Sequence, residues 1–210
     1  MIKCPLRYTG NKYKLLPQIL PLFPNNINTF VDLFAGSYTV GINVNAKKYI
    51  CNDMITYIIE FYEFLKNNDI NLITESIDTV IDTYKLSKTN LEGYNSLREI
   101  YNQTKFPLFL FILSCFSFNH QIRFNSNGEY NMPVGKRDFN SSSRKNIKEF
   151  SLKLKNKNIL FHNESFDKID YSNFENPFFY YYDFSLYLPN LYFINKIGLS
   201  LLKDMCYNVM

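Results

Sequence analysis

The chain has 210 residues, 46% of them hydrophobic, and a net charge of +4 at pH 7. That composition can bury a core and lies outside the disordered class. No apolar run reaches the roughly 18 residues of a membrane span, and no apolar signal segment accompanies Lys3, Arg7, Lys12 and Lys14. Cys4, Cys51, Cys115 and Cys206 stand far apart with no CxxC, and there are two histidines, His120 and His162. This argues against a zinc site or a disulfide framework and fits a reducing cytoplasm. The mild positive charge permits a polyanionic partner without requiring one. The 20 Phe and 17 Tyr need no functional reason, because AT-rich codon usage would produce them.

In chain order, Leu15, Leu16, Ile19 and Leu20 have helical spacing, closed by Pro21 and Pro24. TFVDLFAGSYTVGINV then reads as an apolar strand, a small-residue turn and a short helix carrying Val40, Ile42 and Val44. YICND is a second strand ending on an acid, and Ile55, Ile58, Ile59, Tyr62 and Leu65 mark a helix. This order opens a parallel α/β sheet. From about residue 68 to 150 the pattern turns helical, with Ile73, Ile77, Val80 and Ile81, then Tyr94, Leu97 and Tyr101, then FPLFLFILSCFSF. A basic, Asn-rich hairpin or loop follows, with turn signals at Asn127–Gly128 and Pro133. From residue 147 a Lys-rich helix, the strand NILFHN, a short helix near Phe166 and the strand NPFFYYYD return to α/β order. A strand end or loop from Phe184 and a helix at 194–206 complete the reading. About four strands is few for a doubly wound sheet.

The sharpest local signal is FVDLFAGS followed by CND. A strand ending at Asp32, a turn of Ala35, Gly36 and Ser37, and a helix start behind it make a pocket for a nucleoside cofactor. Small residues admit the ligand to the backbone, and the amides of the helix start would face its polar groups. Asp53 lies 21 residues after Asp32, the place for an acid on ribose hydroxyls. An ordinary strand–helix turn with an exposed acid is the competing reading.

These residues resemble the Dam-type N6-adenine-specific DNA methyltransferases, phage-encoded members included. YTGNK (Tyr8 to Lys12) is similar to the family's first cofactor motif, and FVDLFAGSYTVGINV to its FxDLFxGG motif, with Ser37 in place of the second Gly. YKLSKTNLEGYNSLREIYNQT and FSFNHQIRFNSNGEYNMPVGKR resemble the target-recognition insert and its hairpin. The resemblance implies a Rossmann-like methyltransferase sheet, S-adenosylmethionine (AdoMet) as cofactor and double-stranded DNA as partner. It implies no metal and no membrane, and a cytoplasmic monomer or weak dimer on DNA, bacterial or phage-encoded. It further implies an AdoMet-binding part over residues 1–67, a helical recognition insert over 68–146 and a return to the catalytic domain over 147–210. AdoMet would be held by Tyr8, Lys12, Asp32, Phe34, Gly36, Asp53, Ser165, Phe166 and Asp183, with Phe166 equally readable as core. DNA contacts would come from Arg98, Phe118, Asn119, Arg123, Pro133, Lys136 and Arg137, with Arg98 on a guanine. For Arg137 and for Arg144, a solvated or phosphate-contacting role is the alternative. The implied reaction is methyl transfer to adenine N6 in a short, GATC-like duplex target, as in restriction–modification.

The family's catalytic motif is DPPY. Its Asp and the next carbonyl accept the amine hydrogens of adenine, and its Tyr stacks on the flipped base. Here Asp183 is kept, but Phe184, Ser185 and Leu186 follow, and Tyr187 is one place late. Beyond Asp183 the family pattern is lost, so the sheet is expected to be cut short by a frameshift or gene decay. An inactive remnant that binds AdoMet, DNA or both is therefore the alternative function. A small-molecule methyltransferase is a third, but it would have no use for the basic hairpin at 118–137.

Overall fold

The computed structural model describes residues 1–8, 10–169 and 178–181. The chain divides into two compact units. One comprises Met1, Gly10–Ile59 and the chain from Lys157 onward, and the other Ile2–Thr9 and Glu60–Asn156.

The first unit is built on four parallel strands, β1 (Thr29–Asp32), β2 (Lys48–Asn52), β3 (Ile159–His162) and β4 (Phe178–Tyr181), in the order β3-β2-β1-β4. All four expected strands are present. β1 is paired on both sides and all four of its residues are buried. A continuous apolar run such as TFVD, rather than an alternating one, is what a central parallel strand requires. The register sets Asp32 opposite Cys51 on one side and Tyr181 on the other, and Asn52 opposite His162. From β1 to β3 the chain moves outward in one direction, then returns to place β4 on the far side of β1. The order therefore reverses between β1 and β4, the kind of position where α/β sheets bind ligands beyond their carboxyl ends.

The helix expected in the first block is instead broken into three short pieces: a 3-10 turn at Tyr13–Leu15, α1 at Leu16–Ile19 and a second 3-10 turn at Leu20–Leu22. Pro17 and Pro21 each remove an amide from the helical ladder, so no long run can close. α2 (Thr39–Asn43) follows the turn after β1. Lys157, which leads into β3, donates to the carbonyl of Val44 at 2.7 Å and lies 3.7 Å from the centre of the Tyr49 ring. It thus satisfies an orphan carbonyl after α2 while covering its charge with an aromatic face.

α3 (Thr56–Asn67) carries the chain from the first unit to the second, which contains α4 (Ile70–Thr83), α5 (Leu91–Thr104), α6 (Pro107–Phe116) and α7 (Ser141–Lys155). Local sequence sets most of their starts. Asp69 caps α4 by accepting from the amides of Asn71 and Leu72, Asn90 caps α5 through Gly93, and Pro107 opens α6. Asn140 caps α7 through the amide of Ser143, so this helix starts at Ser141, ahead of the expected 147. α6 is apolar all round, and eight of its residues, Leu108 and Leu110–Phe116, are buried. Such a helix belongs at the centre of its unit; α4 and α5 pack against it, and Phe61 stacks on Phe111 with ring centres 5.5 Å apart.

The hairpin after α6 is pinned by polar bonds. Ser117 bridges antiparallel to Val134, and Phe124 to Tyr130. Asn102 on α5 holds both backbone groups of Tyr130: its Nδ2 donates to the carbonyl at 3.1 Å, and its Oδ1 accepts from the amide at 2.7 Å. The Tyr94 hydroxyl donates to the carbonyl of Met132 at 3.0 Å. Burial pushes the pKa of the Tyr94 hydroxyl up to about 12 and also raises that of the Tyr130 hydroxyl, to which Tyr94 lies at 3.4 Å, so both tyrosines stay neutral. Asn102→Ala leaves two backbone groups of Tyr130 without their partner, which should cost about 1–3 kcal/mol. A lower denaturation midpoint together with faster exchange of the Tyr130 amide would show it; unchanged exchange would mean that the hairpin is held elsewhere.

Candidate functional site

At the carboxyl end of the sheet the turn after β1 and the end of β2 are bonded together. The amide of Gly36 donates to Oδ2 of Asp53 at 2.7 Å, and the amide of Ile55 donates to Oδ1 at 2.9 Å. Gly36 has φ 46°, a left-handed conformation that a residue without Cβ adopts at no steric cost. Asp53 is 8% exposed, and burial raises its carboxyl above the ordinary range while the two amide bonds pull it down. An ionised carboxylate has about four acceptor sites, so two bonds from backbone leave capacity for hydroxyl donors.

Two amides of this turn already have partners. Gly36 spends its amide on Asp53, and the amide of Tyr38 donates to the carbonyl of Ala35 at 2.6 Å. The turn is thus tied to the end of β2 through the Asp53 carboxylate. Ser37, which departs from the family's second Gly, is accommodated because its hydroxyl pairs with that of Thr39 at 2.9 Å. Tyr38 follows with φ 49°, and its ring lies against Gly41, where a Cβ would stand 2.1 Å from the ring edge. Burial first, and then Cys51 and Asp32, raise the Tyr38 hydroxyl.

The other expected cofactor residues are placed as follows. Asp32 ends β1 and is 2% exposed. Phe34, in the turn after it, and Phe166, in the short helical turn Phe166–Lys168 after β3, meet with ring centres 5.6 Å apart. Ser165 immediately precedes that turn. Lys12 is buried and donates through Nζ to the carbonyl of Gly10 at 2.9 Å. Tyr8 is half-buried in the second unit. Asp183 lies outside the described residues.

A residue that the reading passed over is Asn52. Its side-chain amide joins the ends of β1 and β3: Nδ2 donates to the carbonyls of Leu33 at 2.9 Å and Glu164 at 3.0 Å, and Oδ1 accepts from the amide of Glu164 at 3.1 Å. Its own carbonyl accepts from the amide of Ala35 at 2.9 Å. The only sequence signal was a polar residue at the end of an apolar strand beside the acid.

In the second unit the hairpin brings together part of the expected DNA-facing set. The amide of Phe118 donates to the carbonyl of Pro133 at 2.9 Å, and Gly135 closes the base by donating to Phe116 at 2.7 Å. Asn119 and His120 are both left-handed, with φ 54° and 55°. Two such non-glycine residues in succession store strain of the kind found at working sites. The turn leaves Phe118 53% exposed and Asn119 exposed while burying His120. Lys136 and Arg137 follow, both exposed. Arg123, further along the hairpin, donates to Oδ1 and to the carbonyl of Asn131 at 2.8 and 3.0 Å. Arg98 lies half-buried on α5, one turn beyond Tyr94.

Arg144 serves its own unit. Its two guanidinium arms donate to the two oxygens of Asp78, and the guanidinium lies 4.8 Å from the centre of the Phe139 ring. The pair joins α7 to α4. Both side chains are over a third exposed, so Arg144→Ala should cost about 1 kcal/mol or less of stability. A fall in the denaturation midpoint larger than that of Asn102→Ala would show the pair to hold α7 to α4 more strongly than an exposed ion pair does.

Among the described residues no helix is long and apolar enough to cross a membrane, and no group of three or more His, Cys, Asp or Glu could hold a metal ion. Cys4, Cys51 and Cys115 are buried.

Residues 8–198 match the D12 class N6 adenine-specific DNA methyltransferase family. The chain is 46% identical over 184 residues to the modification methylase StsI of Streptococcus sanguinis, which covers 87% of this chain and 28% of that protein. It is 45% identical over 176 residues to the type II methyltransferase M.FokI of Planomicrobium okeanokoites, covering 83% of this chain and 27% of that protein. With the DNA adenine methylase of Haemophilus influenzae it shares 29% identity over 136 residues, 62% of this chain and 46% of that enzyme. The chain thus spans less than a third of the length of the two modification methylases and about half that of the adenine methylase. The match over nearly all of its length establishes that this chain belongs to the D12 class of N6 adenine-specific DNA methyltransferases.

Proposed function

We propose that the chain binds AdoMet and duplex DNA as a site-specific adenine methyltransferase, with transfer to adenine N6 slowed by its altered catalytic motif. The observation that carries the reading is the buried Asp53 carboxylate at the end of β2, bonded to Gly36 and retaining acceptor sites. Those acceptor sites fit ribose hydroxyls as donors. Phe34 and Phe166 provide flat apolar faces for an adenine ring, and Lys12 and Tyr8 are the candidates for the methionine end. Asp32, Gly36 and Ser165 belong to the same proposed set by position. When bound, AdoMet supplies an electrophilic sulfonium methyl.

On the DNA side, Phe118, Asn119 and Pro133 share the strained hairpin base, with Lys136 and Arg137 next in the chain. Arg123 and Arg98 complete the proposed contacts. Exposed aromatic and basic groups on a rigid hairpin suit phosphate contact and propping of a duplex from which a base has been extruded. The chain would act as a monomer or weak dimer on a short target, GATC-like by its resemblance to Dam-type enzymes.

For the chemistry, Asp183 would accept one hydrogen of the adenine amine, so that the nitrogen lone pair can turn toward the methyl group; the amine then releases a proton. A second acceptor carbonyl and a stacking tyrosine belong to DPPY, and DFSLY alters both. This favours a second reading, a binding protein with residual or no turnover.

Hydroxyl donors favour the ionised form of Asp53. AdoMet affinity should therefore be present at neutral pH and fall as the pH drops through the raised Asp53 pKa. Asp53→Ala should weaken binding by roughly 1–3 kcal/mol and flatten that profile. Calorimetry across the acid range checks both, and a wild-type profile without slope would remove Asp53 from the site.

Tritium transfer from labelled AdoMet to unmethylated duplex tests the activity. Because misplacing a reacting atom by about 1 Å can cost about 10²-fold, the rate is expected to be at least about 100-fold below that of a DPPY-bearing relative. Turnover near one per minute, even though below the typical enzymatic range of about 1–10³ per second, that disappears in Asp183→Ala would show DFSLY to be a working motif.

A further inference from the structure

We infer that Asn52 is a positioning residue for the cofactor site, holding Phe34 and Phe166 at their spacing through the carbonyl of Leu33 and both backbone groups of Glu164. The inference rests on the AdoMet reading above and adds a residue to it.

Asn52 is fully buried at the end of β2, between β1 and β3 in the sheet. Each of its side-chain polar atoms has a partner on a neighbouring strand end. Nδ2 uses both hydrogens, one toward Leu33 and one toward Glu164, and Oδ1 takes the amide of Glu164. Leu33 directly precedes Phe34, and Glu164 stands two residues before Phe166. The amide group therefore sets the point at which each aromatic loop leaves the sheet. Asn163 adds a second clasp on the β3 side, donating to the carbonyl of Asp53 at 2.7 Å while its Oδ1 accepts from the hydroxyl of Thr56 at 2.8 Å. On the β1 side Asn52 bonds to Leu33, backed by the Ala35 amide on the Asn52 carbonyl and by the Gly36 amide on the Asp53 carboxylate.

The chemistry requires an amide here. Two carbonyls need donors and one N–H needs an acceptor, and Asn supplies two donors and an acceptor from a single planar group. Aspartate has the same shape but, when ionised, turns an acceptor toward both carbonyls. Protonation returns one donor.

The test is calorimetric titration of AdoMet into the full chain and into Asn52→Asp. At about pH 8 the variant should bind about tenfold or more weakly, since buried carbonyls lose their donors. At about pH 6 the deficit should shrink, because a buried carboxyl titrates well above its ordinary value and regains a donor. The denaturation midpoint of the variant, measured at both pH values, separates loss of AdoMet affinity from loss of fold, since destabilisation alone would lower the midpoint without weakening binding to the folded fraction. Equal affinity of variant and wild type at both pH values, or a deficit identical at both, would overturn the inference. If Asn52→Asp does not fold, the wild-type side-chain amide decides. Its two protons should resist solvent exchange in the NMR spectrum of the free chain, and exchange at the rate of an exposed Asn would overturn the clasp. Absence of AdoMet binding by the wild-type chain at about 1 mM, where even an affinity near −4 kcal/mol would register, would overturn the cofactor reading and this role with it.

Discussion

The bond between the Gly36 amide and the Asp53 carboxylate is the constraint on which the first unit turns. A carboxylate removed from water is costly unless it is hydrogen-bonded, and Asp53 meets that requirement by drawing the turn after β1 onto the end of β2. The same contact bends the chain at Gly36, closes the turn before α2 and leaves the remaining acceptor sites at the carboxyl edge of the sheet. Burial still raises the Asp53 pKa, so the carboxylate is held at a cost that hydroxyl donors from a ligand would relieve. That combination suits the role proposed for Asp53 in the cofactor site.

Neighbouring Asn52 solves the complementary problem. Parallel strands end with carbonyls and amides that have no further ladder partner, and at the centre of a sheet these groups are out of reach of water. A single buried amide serves the ends of β1 and β3 together. The adjacent pair Asn52–Asp53 thus divides the work: one residue ties the framework, and the other presents charge.

The second unit uses the same logic for a different purpose. Its hairpin has only isolated bridges and would be marginal alone. Asn102, Tyr94 and Tyr130 anchor it to α5 through buried polar bonds. The left-handed pair Asn119–His120 is held separately, by the His120 amide on the Ser117 carbonyl and the His120 ring on the carbonyl of Ser114. Of the arginines in this unit, Arg144 is committed to Asp78, whereas Arg123 is fixed by Asn131 near the hairpin tip.

The sequence by itself determined the class of fold, the four strands, the helix starts at Asp69, Asn90 and Pro107, and the position of the candidate acid, Asp53. These are local matters: hydrophobic period, capping chemistry, and an acid at a fixed distance from a small-residue turn. Family membership was equally legible, because the motifs survive in order. What only the tertiary structure decided depends on groups far apart in the chain. The amide of Gly36 is claimed by a carboxylate 17 residues away, which no turn rule foresees. Asn52 finds a partner 112 residues away, and Arg144 one 66 residues away. Pairing across such separations is set by strand order and helix packing, and a buried asparagine or an occupied arginine looks the same in sequence as a solvated one.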